Sequence, residues 1–273
     1  MLFLFFMRRK HSPPSGLRVL LRPLRSVFRS ARIFTQNRAF QKWQRENPSK
    51  NFSDYFAEIV RPGLQRGQAH PTLGRNLPGS AFGEAAKKTL KMLIANGLNK
   101  DDVCVDYGCG TLRVGVHVIK YLQRGAYWGL DVDDAVLEEG RKLVGNSLLT
   151  DKAPHLHVIS PRSIAEAAAA KPKILFSVSV LVHVAPEDLK AYFQNILTII
   201  DDSGVAIIRG RWSCSETVQF SGQSWAHSEI KMQEIVSSIG GEMRIVEQTE
   251  SWLHDFGIQI KRGIAHIRKA HDS

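Results

Sequence analysis

Residues 103–111 read Val-Cys-Val-Asp-Tyr-Gly-Cys-Gly-Thr, and residues 129–131 read Gly-Leu-Asp. A short apolar run ending in a carboxylate and two closely spaced glycines predicts a buried strand that turns sharply into a helix. Apolar residues at 112, 114, 116, 118, 119 and 122 predict a largely buried helix over 111–122. A second apolar run then ends in Asp131, which stands 25 positions after Asp106. That spacing is one βαβ unit, so both carboxylates are expected at the C-terminal ends of neighbouring parallel strands, where such sheets take ligands. Glycines in the turn let a ligand lie against bare backbone near a helix N-terminus, and the second carboxylate can accept both hydroxyls of a ribose.

The order Asp-Tyr-Gly-Cys-Gly-Thr followed by Asp131 resembles the first two cofactor motifs of class I S-adenosylmethionine-dependent methyltransferases, and the resemblance extends over roughly residues 70–269. It implies an α/β fold: a Rossmann-like three-layer sandwich on a mostly parallel seven-stranded sheet whose last strand is antiparallel. It implies S-adenosylmethionine as cofactor, held by Asp106, Gly108, Cys109, Gly110, Thr111, Asp131 and Ser177. Gly110 would let backbone approach the methionine part, and Asp106 would orient that part directly or through water. A nicotinamide dinucleotide fold is the nearest rival. Its Gly-x-Gly-x-x-Gly pattern, counted from Gly108, puts the third glycine where Arg113 stands. The methyltransferase turn often carries a further glycine at the place of Leu112, and often an acid soon after the third strand. Here that strand is followed by Ser160-Pro161-Arg162-Ser163, leaving Ser163 and Ile164 as candidates for adenine contact. These departures keep open a second class of function, a non-catalytic binding module docked to a membrane surface by its basic arm.

The fourth strand is expected over 173–177 and leads into Ser-Val-Ser-Val-Leu-Val-His-Val. His183 is the candidate base, since a histidine pKa near 6.5 suits proton removal at neutral pH; a capping or core role is the alternative. The same segment, with the Asp-Tyr-Gly-Cys-Gly stretch, is similar to bacterial methyltransferases associated with surface polysaccharides. That likeness implies a small or glycan-like acceptor methylated on oxygen or nitrogen. Residues 211–225, with Trp212, Phe220 and Trp225, fall where the family inserts acceptor-reading loops. Further helices are expected over 80–96, closed by Gly97, and over 134–144, 186–201 and 227–239. Strands are expected over 155–159, 205–209, 242–248 and 256–268, and the last of them, antiparallel, argues against the nicotinamide fold.

Charge divides the chain. Residues 1–50 hold twelve Lys or Arg and one acid, whereas residues 51–273 hold 25 of each sign. The globular part therefore gives no case for nucleic-acid binding. The organisation expected is a basic N-terminal arm over 1–50, a linker and lid segment over 51–80 that includes His70, Arg75 and Asn76, and a methyltransferase domain over 81–273. Within 17–34, leucines recur on one helical face and Arg18, Arg22, Arg25, Arg29 and Arg32 on another. This is the pattern of an interfacial helix on an anionic membrane surface, beginning at Pro23 or interrupted by it. A solvated basic arm or an organellar transit peptide is the alternative. Translation starting at Met7 in place of Met1 is equally compatible with the sequence. The first seven residues are apolar but too short to span a bilayer, and charges follow them rather than precede them. Cys104, Cys109 and Cys214 form neither a disulfide framework nor a metal-ligand spacing, and the ten histidines show no metal pattern, so no metal is implied. The expectation is a protein of a reducing, cytoplasmic compartment, peripheral at the inner membrane face if the arm docks there.

Overall fold

The structure is a computed structural model, and it describes residues 22–65, 80–221, 223–253 and 259–270. The segment expected to close over the cofactor (67–79) lies outside them, as do residues 17–21 and the side chains of 22–33. Among the described residues the helices are α1 (Arg22–Glu46), α2 (Phe52–Gln65), α3 (Ser80–Ala95), α4 (Gly115–Tyr121), α5 (Asp134–Val144), α6 (Asn146–Lys152), α7 (Pro161–Ala169), α8 (Leu189–Ile199) and α9 (Glu229–Ser238). The strands are β1 (Cys104–Tyr107), β2 (Tyr127–Asp131), β3 (His155–Val158), β4 (Ile174–Val178), β5 (Val205–Ser213), β6 (Val218–Ser221), β7 (Ser224–Ser228), β8 (Gly241–Leu253) and β9 (Gln259–Lys269).

Five parallel strands run in the order β3-β2-β1-β4-β5, and β9 then pairs antiparallel with β5 and with β8. These seven strands form the main sheet, with the antiparallel member expected near the C-terminus. Alternation along the strands feeds two cores. Val105, Leu175, Ala206 and Ile208 face Ile164, Phe193, Ile196 and Met232 of α7, α8 and α9. Cys104, Ile174, Phe176 and Ile207 face Leu93, Leu98, Val118, Ile119 and Leu137 on the opposite side. The chain order reverses between β1 and β4, which creates a crevice at the strands' C-terminal ends.

Three expectations are corrected. The helix after the turn spans Gly115–Tyr121 rather than 111–122, because Leu112 has φ +58°, a left-handed conformation that a right-handed helix cannot contain. The helix over 186–201 opens with a separate 3₁₀ turn, Pro186–Asp188, before α8. Residues 211–225 are strand and hairpin rather than loop, and Arg211, Phe220, Gln223 and Ser224 of this stretch line the cavity described below. β5 continues to Ser213, and β6 and β7 form an antiparallel hairpin whose Ser228 and His227 pair with the end of β5 beyond the reach of β4. Trp212 is fully buried in the core, Trp225 packs edge-on against Phe52 at 4.8 Å, and neither lines that cavity.

The break read at residue 50 falls in the short turn between α1 and α2, and Pro23 lies in the first turn of α1. Phe40 and Trp43 of α1 join Phe52 and Tyr55 of α2 in an aromatic cluster, with ring centroids 5.1–6.3 Å apart. Asn37 and Gln219 exchange two amide hydrogen bonds of 3.0 Å, which ties α1 to the hairpin. No helix among the described residues is long and apolar enough to cross a membrane.

Candidate active site

A cavity of about 1240 Å³ opens at the C-terminal edge of the sheet, between β1, β2 and β4 below and α2 above. Ligand clefts commonly measure about 300–1,000 Å³, so this one has room for two molecules side by side.

Its floor is the β1 turn. Asp106, Gly108, Cys109, Gly110 and Thr111 all line it, as does Asp131. The N–H groups of Gly108 and Cys109 both donate to the Leu130 carbonyl (2.7 and 3.0 Å), which locks the turn onto β2. Gly110 N–H donates to the Asp131 carboxylate at 2.7 Å, which holds the turn directly against the end of β2. Gly108 has φ +79°, and a Cβ there would stand 2.3 Å from Val180 Cγ2; the absent side chain is what lets the β4 exit segment close over the turn. Thr111 lines the cavity, and its buried Oγ has no hydrogen-bond partner among the described residues.

Leu112 occupies the place where a glycine is common, yet it does not intrude. Its side chain is fully buried in the α4–α5 core, and it is absent from the cavity lining. Two other glycines make room for it: a Cβ on Gly115 would lie 2.9 Å from Leu112 Cδ2, and one on Gly140 would lie 2.8 Å from its Cγ.

Burial governs the two carboxylates. Asp106 is pushed from 3.8 up to about 8, chiefly by desolvation. The Tyr127 hydroxyl opposes that shift by donating to Asp106 Oδ2 at 2.8 Å, and the neighbouring Asp131 adds to it. Asp131 rises to about 6, again from desolvation, held down by the N–H groups of Gly110, Asp133 and Val132. The Cys109 thiol is pushed well above its ordinary value by burial, so it stays protonated and unreactive.

His183 stands in the 3₁₀ turn Leu181–His183 after β4 and lines the same cavity. Its Nδ1 lies 2.8 Å from the Gln223 carbonyl oxygen. A carbonyl only accepts, so in the neutral ring Nδ1 carries the proton and Nε2 holds the lone pair. Phe56 of α2 stacks on the imidazole at 5.3 Å, with 23° between planes. Behind it, buried His227 lies with Nε2 3.0 Å from the Val184 carbonyl, tying β7 to the turn; burial lowers its own pKa to about 4 and keeps it neutral.

Some site residues lie elsewhere than expected. Ser177 is fully buried and off the cavity lining, where its hydroxyl accepts from Tyr192 at 2.9 Å. Ser163 closes a capping box with Ser160 at the start of α7 and donates to the Val158 carbonyl, while Ile164 is in the core. The apolar residues at the Asp131 end of the cavity are Val132, Val136 and Ile159. Other lining residues carry no motif. Asp188 accepts the Phe52 N–H, has one buried oxygen without a partner among the described residues, and is raised by burial. Arg61 of α2 donates through Nε to both oxygens of Asp133 (3.1 and 3.0 Å), which bolts α2 over the β2 end. The helical spacing of Phe52, Tyr55, Phe56 and Ile59 was the available signal for α2. Among the described residues no cluster of three or more His, Cys, Asp or Glu could hold a metal ion.

Compared with solved structures, the chain is similar to magnesium protoporphyrin IX methyltransferase (ChlM) from Synechocystis PCC 6803 with bound SAM. The match has TM-score 0.56 at 14% identity and covers 81% of this chain and 99% of that one. The same enzyme with bound SAH gives TM-score 0.54 at 15% identity, covering 80% and 97%. The fold is that of the Rossmann-like class I methyltransferases. YcgJ protein from Bacillus subtilis is also similar, with TM-score 0.50 at 9% identity over 68% of this chain and 100% of that one. No family model matches the chain, and no curated protein sequence matches it.

Proposed function

We propose that this chain is an S-adenosylmethionine-dependent methyltransferase acting on an oxygen or nitrogen of a small acceptor, with His183 as the base. The observation that carries the reading is one continuous cavity with the Gly108–Gly110 turn and Asp131 on its floor and an oriented imidazole on its wall. The residues fit the cofactor. The Asp131 carboxylate is placed for the ribose hydroxyls, Thr111 Oγ offers an unused hydroxyl, and Val132, Val136 and Ile159 give apolar surface for a base. Asp106 matches the cationic amine of the methionine end. When bound, S-adenosylmethionine supplies a methyl group on a sulfonium, whose leaving group is a neutral thioether. The protein's share is then positioning and proton removal. Gln223 fixes the imidazole tautomer so that Nε2 takes the acceptor's proton, and Phe56 holds the plane of the ring.

Burial of Leu112 away from the cavity removes the steric reason for a fold that binds without turnover. The test is thermal shift of the full chain with S-adenosylmethionine, S-adenosylhomocysteine and NAD. A ligand at 100 times its dissociation constant stabilises by about 2.7 kcal/mol, roughly 5–10 °C here. A shift with the adenosyl ligands alone, lost in Asp131→Ala, supports the reading; no shift, or one with NAD, overturns it. For the arm, docking on an anionic membrane surface through residues 17–34 rests on their sequence pattern.

A further inference from the structure

The acceptor end of the cavity differs in charge from the cofactor end. Asp106 and Asp131 line it from the C-terminal ends of β1 and β2, with Arg113 after the β1 turn, while Arg209, Arg211 and Arg262 line it from β5 and β9. The three arginines come from two adjacent strands. Arg211 and Arg262 are direct partners in the β5–β9 register, and Arg209, paired with Ile264, stands two residues along on the same face. Three cations thus line one wall of the cavity, and in the β8–β9 register Arg262 is also paired with Glu250.

Ser179 N–H donates to the Arg209 carbonyl at 2.9 Å, and a Cβ on Gly210 would touch Leu181 at 3.3 Å, so β5 packs directly on the turn that carries His183. Arg211 lies over the Phe220 ring at 5.4 Å, and Phe220 also lines the cavity, giving a flat apolar surface beside the charges. Guanidinium forks suit planar or tetrahedral oxyanions. We infer that the methyl acceptor carries an anionic group, a carboxylate or a phosphate, which Arg209, Arg211 and Arg262 hold while its nucleophilic atom faces His183. This inference rests on the methyltransferase reading for the identity of the reaction, but the anion site itself can be tested independently.

The experiment is calorimetric titration of the full chain with phenyl phosphate, benzoate and benzyl alcohol, each with and without saturating S-adenosylhomocysteine. At least one anion is expected to bind about tenfold or more tighter than benzyl alcohol, and the tighter of the two names the anion. Arg209→Gln and Arg262→Gln should each weaken it about 10- to 100-fold, the worth of a charge-assisted hydrogen bond. Arg209→Lys keeps the charge and serves if a glutamine variant does not fold. Arg244→Gln removes an exposed cation outside the cavity and should change affinity less than about twofold. Equal binding of the neutral and anionic probes, or equal losses in Arg244→Gln and the cavity variants, overturns the inference. Failure of S-adenosylhomocysteine to bind overturns the methyltransferase reading alone, because the arms without it still decide the arginine wall.

Discussion

Asp106→Asn should abolish most of the pH dependence of cofactor binding between pH 6 and 7. Asp106 lies buried with its pKa raised to about 8, so in the empty site it is mostly protonated at neutral pH. A cationic amine prefers the ionised form, and the ligand must therefore expel that proton. With a pKa of about 8 the ionised fraction of Asp106 is about 1% at pH 6 and about 9% at pH 7, a roughly ninefold gain in affinity. Asp131, at about 6, adds a little under twofold as it passes from half ionised to about nine-tenths ionised. Together the wild type should bind S-adenosylhomocysteine about 16-fold more tightly at pH 7 than at pH 6, or ~1.6 kcal/mol. About one proton should be released per ligand at pH 7, read by calorimetry in buffers of different ionisation enthalpy. Asp106→Asn, which can still accept from Tyr127, should retain only the twofold part and release almost no proton. The ligand-free fold should trend the other way. The folded pKa of Asp106 is raised above its unfolded value, so its contribution to stability is full below about pH 4 and is lost as pH rises through about 8. A wild-type affinity that is flat from pH 6 to 7, with no buffer-dependent heat, would refute contact between Asp106 and the amine.

Three further outcomes are expected. Gly140→Ala places a Cβ 2.8 Å from Leu112 Cγ and should destabilise the fold by about 1–3 kcal/mol in denaturant melts, while affinity for S-adenosylhomocysteine changes less than about twofold because Leu112 does not line the cavity. Arg61→Ala leaves the buried Asp133 carboxylate with the Ala135 N–H and without its guanidinium. It should cost about 1–2 kcal/mol and speed ligand dissociation in stopped-flow, and unchanged rates would show that α2 does not gate the cavity. Residues 51–273 should melt lower than the full chain, because they lack Phe40, Trp43 and the Asn37–Gln219 amide pair; the same two forms in liposome flotation test the arm, and equal binding to anionic vesicles would exclude it as an anchor.

The parts of the fold legible in the sequence were those governed by local periodicity. The β1 turn, the crossover to β2 and the position of Asp131 follow from an apolar run, two glycines and one spacing, and the antiparallel last strand from a second apolar run near the C-terminus. What escaped was set by distant partners. Nothing near Leu112 announces that Gly115 and Gly140 will hollow out a niche for its side chain, so its neighbours could not tell whether it faced the ligand. The polar, aromatic stretch 211–225 reads as a loop, yet β9 supplies a pairing edge from about 50 residues away and carries β5 on to Ser213. Ser163 looked like a free polar group at a strand end, but the serine three residues earlier claims it as a helix cap. Arg61 and Asp188 sit in no motif; only the docking of α2 across the sheet makes them part of the site.

The opposed charges of the cavity also bear on turnover. On the proposed reading, the bound cofactor presents its amine toward Asp106 and its ribose toward Asp131, while an anionic acceptor is drawn to Arg209, Arg211 and Arg262. Each ligand is repelled from the other's place, so the two can load only in the orientation that brings methyl donor and nucleophile together. Transfer removes the sulfonium charge, so cofactor and product differ in charge at the sulfur. The buried carboxylates do not enter that difference, because the product keeps the amine that Asp106 faces. The raised pKa of Asp106 means that its ionisation is sustained mainly by the cation it faces, so Asp106 can regain its proton as the product leaves. Asp106 faces the amine, which cofactor and product share, so its deep burial sets the proton cost of binding either one, and Tyr127, the hydroxyl partner of that carboxylate, lowers that cost.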